Sequence, residues 1–267
     1  MRTKLLLLIL LAANSIFINA QMDDKFYFPS KVLQPVEWKN VEALKFPVEN
    51  DTVSAIILKP NQKAKATIFY FHGAGGNVTT YAPLLTSLLN DQFQIVMIDF
   101  RGYGKSTGKP LHTNIAEDGE KILNALIKRD DIKNKKIIFY GASMGSQIAT
   151  HLANSHQNEI SGLVLEGGIF SFGHIAAVYA PQVKDYLENS FVTPYSAKED
   201  IKQITKIPKL IIHSKEDKDV PFAQGMMLFD AAQEPKQFIE FSGEHLYALK
   251  YESAKILASL NKMVSAK

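Results

Sequence analysis

The chain has 267 residues, and its 30 Lys and Arg against 27 Asp and Glu give a formal net charge of +3. Arg2 and Lys4 lie in the first twenty positions, so the remainder carries 28 basic and 27 acidic groups. A balance that even excludes a nucleic-acid binder, which needs clustered positive charge to displace phosphate counterions. Cysteine is absent, which excludes disulfides, thiolate metal sites, a cysteine nucleophile and a cysteine-linked lipid anchor.

Residues 1–20 read as an export signal: a basic start at Arg2 and Lys4, an apolar run from Leu5 to Ala13, and a small residue, Ala20, for cleavage. Ile18, at the −3 position, is bulkier than the usual small residue. An uncleaved anchor is the alternative, but the apolar run is short of the roughly 20 residues that span a bilayer. The expectation is a secreted or periplasmic protein beginning near Gln21, with no stable membrane anchor once the signal is removed.

From residue 53 onward, short apolar runs alternate with helical periods. The expected strands are 53–58, 67–71, 94–100, 136–140, 162–165, 210–213 and 237–241. IFYF, IVMIDF, IIFY and LVLE within them are apolar nearly throughout, as strands buried on both faces of a parallel sheet must be. Helical periods fall at 114–128, 144–153, 222–232 and 247–264. Alternation of this kind predicts an α/β fold with a mostly parallel, doubly wound sheet. One stretch, about 169–206, is too long and too aromatic for a loop; it reads as a small helical cap inserted in a single domain spanning 21–267.

The pattern G-x-S-x-G occurs twice, around Ser143 and around Ser106. A nucleophile needs a strand directly before the serine and a helix directly after it. Ser143 has both, whereas Ser106 is followed by Gly108, Lys109 and Pro110, where no helix can start. The Gly104-Lys105-Ser106 fragment imitates a phosphate-binding loop, but Asp99 stands where that loop requires glycine. A serine hydroxyl also needs a base, and the base an orienting acid, in the chain order Ser, Asp or Glu, His. His245 follows the last expected strand and suits the base. Asp217 is the acid of choice in Lys215-Glu-Asp-Lys-Asp-Val-Pro221; Asp219 is read as the cap of the next helix, and Glu166 as an alternative acid of more structural character. The oxyanion donors expected are the amides of Ala74, in the glycine-rich turn His72–Asn77, and Met144. No metal or cofactor is implied, since no H-E-x-x-H or comparable ligand cluster exists.

The segments FHGAGGN (71–77), DFRGYGKSTG (99–108), GASMG (141–145), HSKEDKDVP (213–221) and GEH (243–245) together resemble the α/β-hydrolase superfamily. The likeness is closest to its serine aminopeptidase-like and protein-depalmitoylase-like branch with a short helical cap, and it covers about residues 45–262. It implies Ser143 as nucleophile, Asp217 as acid, His245 as base, and Ala74 and Met144 as oxyanion donors; the Arg101–Ser106 loop is structural. Glu244 departs from the small residue often found beside the base. The expected function is a serine hydrolase (carboxylesterase or thioesterase type) acting on a small-molecule or acylated substrate. Peptidase or aminopeptidase action and a noncatalytic binding role on the same fold are the alternatives.

Overall fold

A computed structural model describes residues 22–265; the expected export signal lies outside them. Among the described residues are ten strands: β1 (Phe28–Pro29), β2 (Val41–Val48), β3 (Asp51–Leu58), β4 (Ala66–Phe71), β5 (Gly75–Gly76), β6 (Phe93–Ile98), β7 (Lys136–Ala142), β8 (Gly162–Glu166), β9 (Lys209–Ser214) and β10 (Lys236–Phe241). Eight of them form one sheet in the order β10-β9-β8-β7-β4-β6-β3-β2. All pairs from β10 to β6 are parallel, while β3 and β2 are added antiparallel at one edge. Every residue of β4, β6, β8 and β9 is buried, which is why these runs are apolar without alternation.

Alternate residues of the central strands fill two cores. Phe69, Phe71, Ile137 and Phe139 face one side, against α3 (His112–Leu126) and α4 (Gly145–Ser155). Ile68, Tyr70, Ile138 and Tyr140 face the other, against α1 (Val78–Tyr81), α2 (Thr86–Asn90) and the C-terminal α10 (Ser253–Ser265). The chain winds outward in both directions from β4, since β6 lies on one side of it and β7 on the other. The crevice above the carboxyl ends of β4 and β7 is therefore the switch point, where doubly wound sheets place their ligands.

Between β8 and β9 run α5 (Phe172–Tyr179), a 3₁₀ turn, α6 (Lys184–Asn189), α7 (Ala197–Asp200) and a second 3₁₀ turn. Buried Gln147 on α4 holds both roots of this insert: its Nε2 donates to the Ile169 carbonyl at 2.6 Å, and its Oε1 accepts from the Ala197 amide at 3.0 Å. Phe172 packs edge-on against Phe26 and 4.0 Å from the His112 ring. The insert is thus fastened to the N-terminal segment as well as to α4.

Three features depart from the sequence-based expectation. β2 was not expected, because its alternately exposed residues include Pro47, a residue confined to sheet edges. β1 and β5 form a separate two-stranded parallel pair. The helix expected over 247–264 is divided by Glu252 into α9 (Ala248–Tyr251) and α10. Among the described residues no helix is long and apolar enough to cross a membrane.

Candidate active site

Ser143 stands between β7 and α4 with φ +53°, a left-handed conformation that costs a non-glycine residue of order 1–3 kcal/mol. The turn tolerates it because its flanks are glycine. A methyl on Gly145 would run into the Phe71 carbonyl, and one on Gly141 would come within 2.6 Å of the Ser146 Cα. The Ser143 amide donates to the Glu166 carbonyl at 2.9 Å, so β8 steadies the turn. Ser106 is placed quite differently. It is fully buried, and its hydroxyl accepts from the Ser54 amide and donates to the Asp99 carbonyl, both at 2.8 Å.

The loop after β4 closes over Ser143 from one side. The Cβ direction of Gly73 points within 3.3 Å of the Ser143 Cβ, so the segment carrying the Ala74 amide abuts the serine. Met144 is buried and opens the turn into α4. His72, fully buried, donates from Nδ1 to the Gly73 carbonyl at 2.8 Å. Burial pushes its pKa down to about 4, so the ring is neutral at physiological pH.

From the other side come Asp217 and His245. Nδ1 of His245 lies 2.6 Å from Oδ2 of Asp217. The Asp217 side chain is 1% exposed and that of His245 14%. Burial alone would raise the Asp217 carboxyl, but the hydrogen bond and charge of His245, with the Val220 amide, outweigh it and hold the group below its ordinary value. The His245 ring lies over Gly167, the residue after the one that binds the Ser143 amide. Serine and histidine thus converge on the same corner of the sheet. Leu246, next to the histidine, is also left-handed at φ +64°. Glu244 turns outward and accepts from the Tyr251 hydroxyl at 2.5 Å.

The expected cap role of Asp219 is not what the structure holds. α8 (Phe222–Ala231) is preceded by Pro221, and no side chain caps it. Oδ1 of Asp217 instead takes the amides of Asp219 and Val220 at 2.9 and 2.8 Å. The reason is geometric: an aspartate accepts most readily from amides two and three residues ahead in a turn, and proline at 221 removes one of the two donors Asp219 would have used. Asp219 is exposed, and its carboxylate lies within 4.8 Å of ligand atoms of Asp217 and His245. Nδ1 of His245 and Oδ2 of Asp217 are spent on each other.

Glu166 is fully engaged elsewhere. It accepts from the Tyr140 hydroxyl at 2.6 Å and from the Ala248 amide at 2.9 Å. Burial raises its pKa despite both bonds. His213, also fully buried, lies with Nε2 2.9 Å from the Val220 carbonyl and 3.5 Å from Oδ2 of Asp217.

This fold, with a serine at a strained strand-to-helix turn and an acid–histidine pair on the loops after β9 and β10, is the α/β-hydrolase fold. Residues 62–193 match the family described as serine aminopeptidase, S33. The chain is 29% identical over 231 residues to the uncharacterized protein YfhR of Escherichia coli K12, covering 84% of this chain and 80% of that one. It is 27% identical over 227 residues to human alpha/beta hydrolase domain-containing protein 17B, covering 79% and 74%. The esterase Pf2001 of Pyrococcus furiosus superposes with a TM-score of 0.68 at 16% identity, covering 88% of this chain and 97% of that structure, a likeness of fold.

Proposed function

We propose that the protein is a serine hydrolase that cleaves ester or thioester bonds through an acyl-enzyme. The observation that carries this reading is the 2.6 Å pairing of His245 with a nearly inaccessible Asp217, over the corner that also holds left-handed Ser143. Neutral His245 takes the Ser143 proton as the hydroxyl attacks the acyl carbon, and Asp217 stabilises the imidazolium that forms. The amides of Ala74 and Met144 receive the negative charge on the carbonyl oxygen; such donors are worth about 3–4 kcal/mol each in comparable sites. His245 then protonates the leaving group, and water attacking the acyl-serine reverses the sequence. The esterase fold-neighbour supports the ester reading by analogy.

A second reading, removal of N-terminal residues from peptides, rests on the family's description and on Asp219, an exposed carboxylate beside the pair where a substrate ammonium could dock. A panel of p-nitrophenyl esters of increasing chain length, run beside aminoacyl nitroanilides, separates the two. The expected result is turnover of esters with a chain-length optimum and kcat/KM at least about 100-fold above any nitroanilide. A preference for nitroanilides reverses the assignment.

Export is part of the same proposal, motivated by Arg2, Lys4 and the apolar run 5–13. Protein recovered outside the cytoplasm should begin near Gln21 on N-terminal sequencing; recovery with Met1 in place defeats it.

A further inference from the structure

The loop that carries the Ala74 amide is short and glycine-rich, so its own sequence does little to fix it. Its four successive carbonyls are nevertheless all taken. Gly73 O accepts from His72 Nδ1, Ala74 O from the Tyr103 hydroxyl at 2.6 Å and the Phe28 amide at 2.9 Å, Gly75 O from the Tyr81 hydroxyl at 2.8 Å, and Gly76 O from the Ser30 amide at 2.9 Å. Two of these donors are backbone amides from an N-terminal arm that lies outside the stretch 62–193 matching the family.

The arm is built for the task. It pairs in parallel with the loop, Phe28 opposite Gly75 and Pro29 opposite Gly76. In a parallel ladder, alternate residues donate to the neighbouring strand, so proline falls at the one position that needs no amide. Phe28 is 59% exposed; its contribution to the loop is through the main chain. Asn77, wholly buried, grips the arm in return, donating from Nδ2 to the Ser30 carbonyl at 3.1 Å and the Val32 carbonyl at 2.8 Å. Upstream, Tyr27 anchors the arm through a 2.6 Å hydrogen bond with buried His112. Arm amides hold the loop, and a loop side chain holds the arm.

We infer that the arm Phe28–Ser30, with Tyr103 and Asn77, is a positioning element that fixes the direction of the Ala74 amide. This rests on the serine-hydrolase reading and extends it to residues with no contact to substrate. A donor that must meet charge only in the transition state acts through preorganisation, so loosening it lowers kcat and leaves KM nearly unchanged.

The test is Ser30→Pro, which deletes one loop-directed amide, measured beside Leu33→Pro on the exposed continuation of the arm. Turnover is normalised to sites titrated with a fluorophosphonate, and affinity is measured for an alkyl trifluoromethyl ketone, whose hemiketal oxygen occupies the oxyanion position. Ser30→Pro is expected to lose about 10–100-fold in kcat per titrated site, a fraction of the loss from deleting a donor outright. KM should stay within about twofold, and ketone affinity should fall in parallel with kcat. Leu33→Pro should match the parent. Should Ser30→Pro fail to fold, Tyr103→Phe, which removes the hydroxyl shared between Ala74 O and the Phe28 amide, must show the same pattern. Parent-like kcat and ketone affinity overturn the inference, as does a lowered melting temperature with unchanged kcat per titrated site. A parent protein that neither titrates nor turns over any ester defeats the hydrolase reading itself, an outcome distinct from a working parent with an indifferent arm.

Discussion

Ser143→Ala should abolish fluorophosphonate labelling and reduce ester turnover by about 10⁶-fold, the scale on which a triad serine is lost. Folding should be preserved, because the backbone of the turn makes the hydrogen bond to Glu166 and the hydroxyl does not. Ser106→Ala should show the reverse signature. Its hydroxyl satisfies the buried Ser54 amide and the Asp99 carbonyl, so truncation strands two buried polar groups at a cost of about 1–3 kcal/mol. Melting temperature should fall by several degrees, while labelling and kcat per labelled site persist. Labelling that survives Ser143→Ala and disappears in Ser106→Ala would reverse the assignment of the nucleophile.

The contrast between the two serines marks what the sequence made legible. Both lie in the same five-residue pattern, and only the neighbouring runs separate them: IIFY before Ser143 and a helical period after it, against glycine and proline after Ser106. Strands buried on both faces write continuous apolar runs, so β4 and β6 to β9 could be read directly. β2 could not, because it is an edge strand with half its residues in solvent and a proline next to its end. The pairing of Asp217 with His245 could be anticipated from chain order, since both follow strands on one side of the switch point. The double role of Asp217 could not. Whether an aspartate caps a helix or closes its own turn depends on which amides the folded chain brings within its reach. The arm was invisible for a related reason: backbone amides donate alike in every residue type but proline, and Phe28 and Ser30 carry no side-chain signal of what they hold.

Asp217 therefore carries two tasks, and substitution separates them. In Asp217→Asn the amide oxygen can still accept from the Asp219 and Val220 amides, which keeps the turn and the fold. The amide nitrogen then faces Nδ1 of His245, where a donor meets a donor. The ring must change tautomer or turn away, and the imidazolium loses its counter-charge; a comparable substitution lowers kcat by about 10⁴. Asp219→Asn should behave otherwise. Its carboxylate is exposed and makes no cap, so neutralising it should leave the melting temperature within about 1 °C and kcat within about fivefold, the scale of a solvent-screened charge. Glu166 serves as the internal check. Its oxygens are committed to Tyr140 and the Ala248 amide, and burial favours its neutral form, which cannot balance a cationic histidine. Glu166→Gln retains an acceptor for the Ala248 amide and should keep kcat within about tenfold, the cost being one re-formed hydrogen bond with Tyr140. Measuring kcat/KM and thermal midpoints for the three variants on one ester substrate decides the matter. Inactive Asp219→Asn beside active Asp217→Asn would transfer the acid role to Asp219, and a 10⁴-fold loss confined to Glu166→Gln would transfer it to β8.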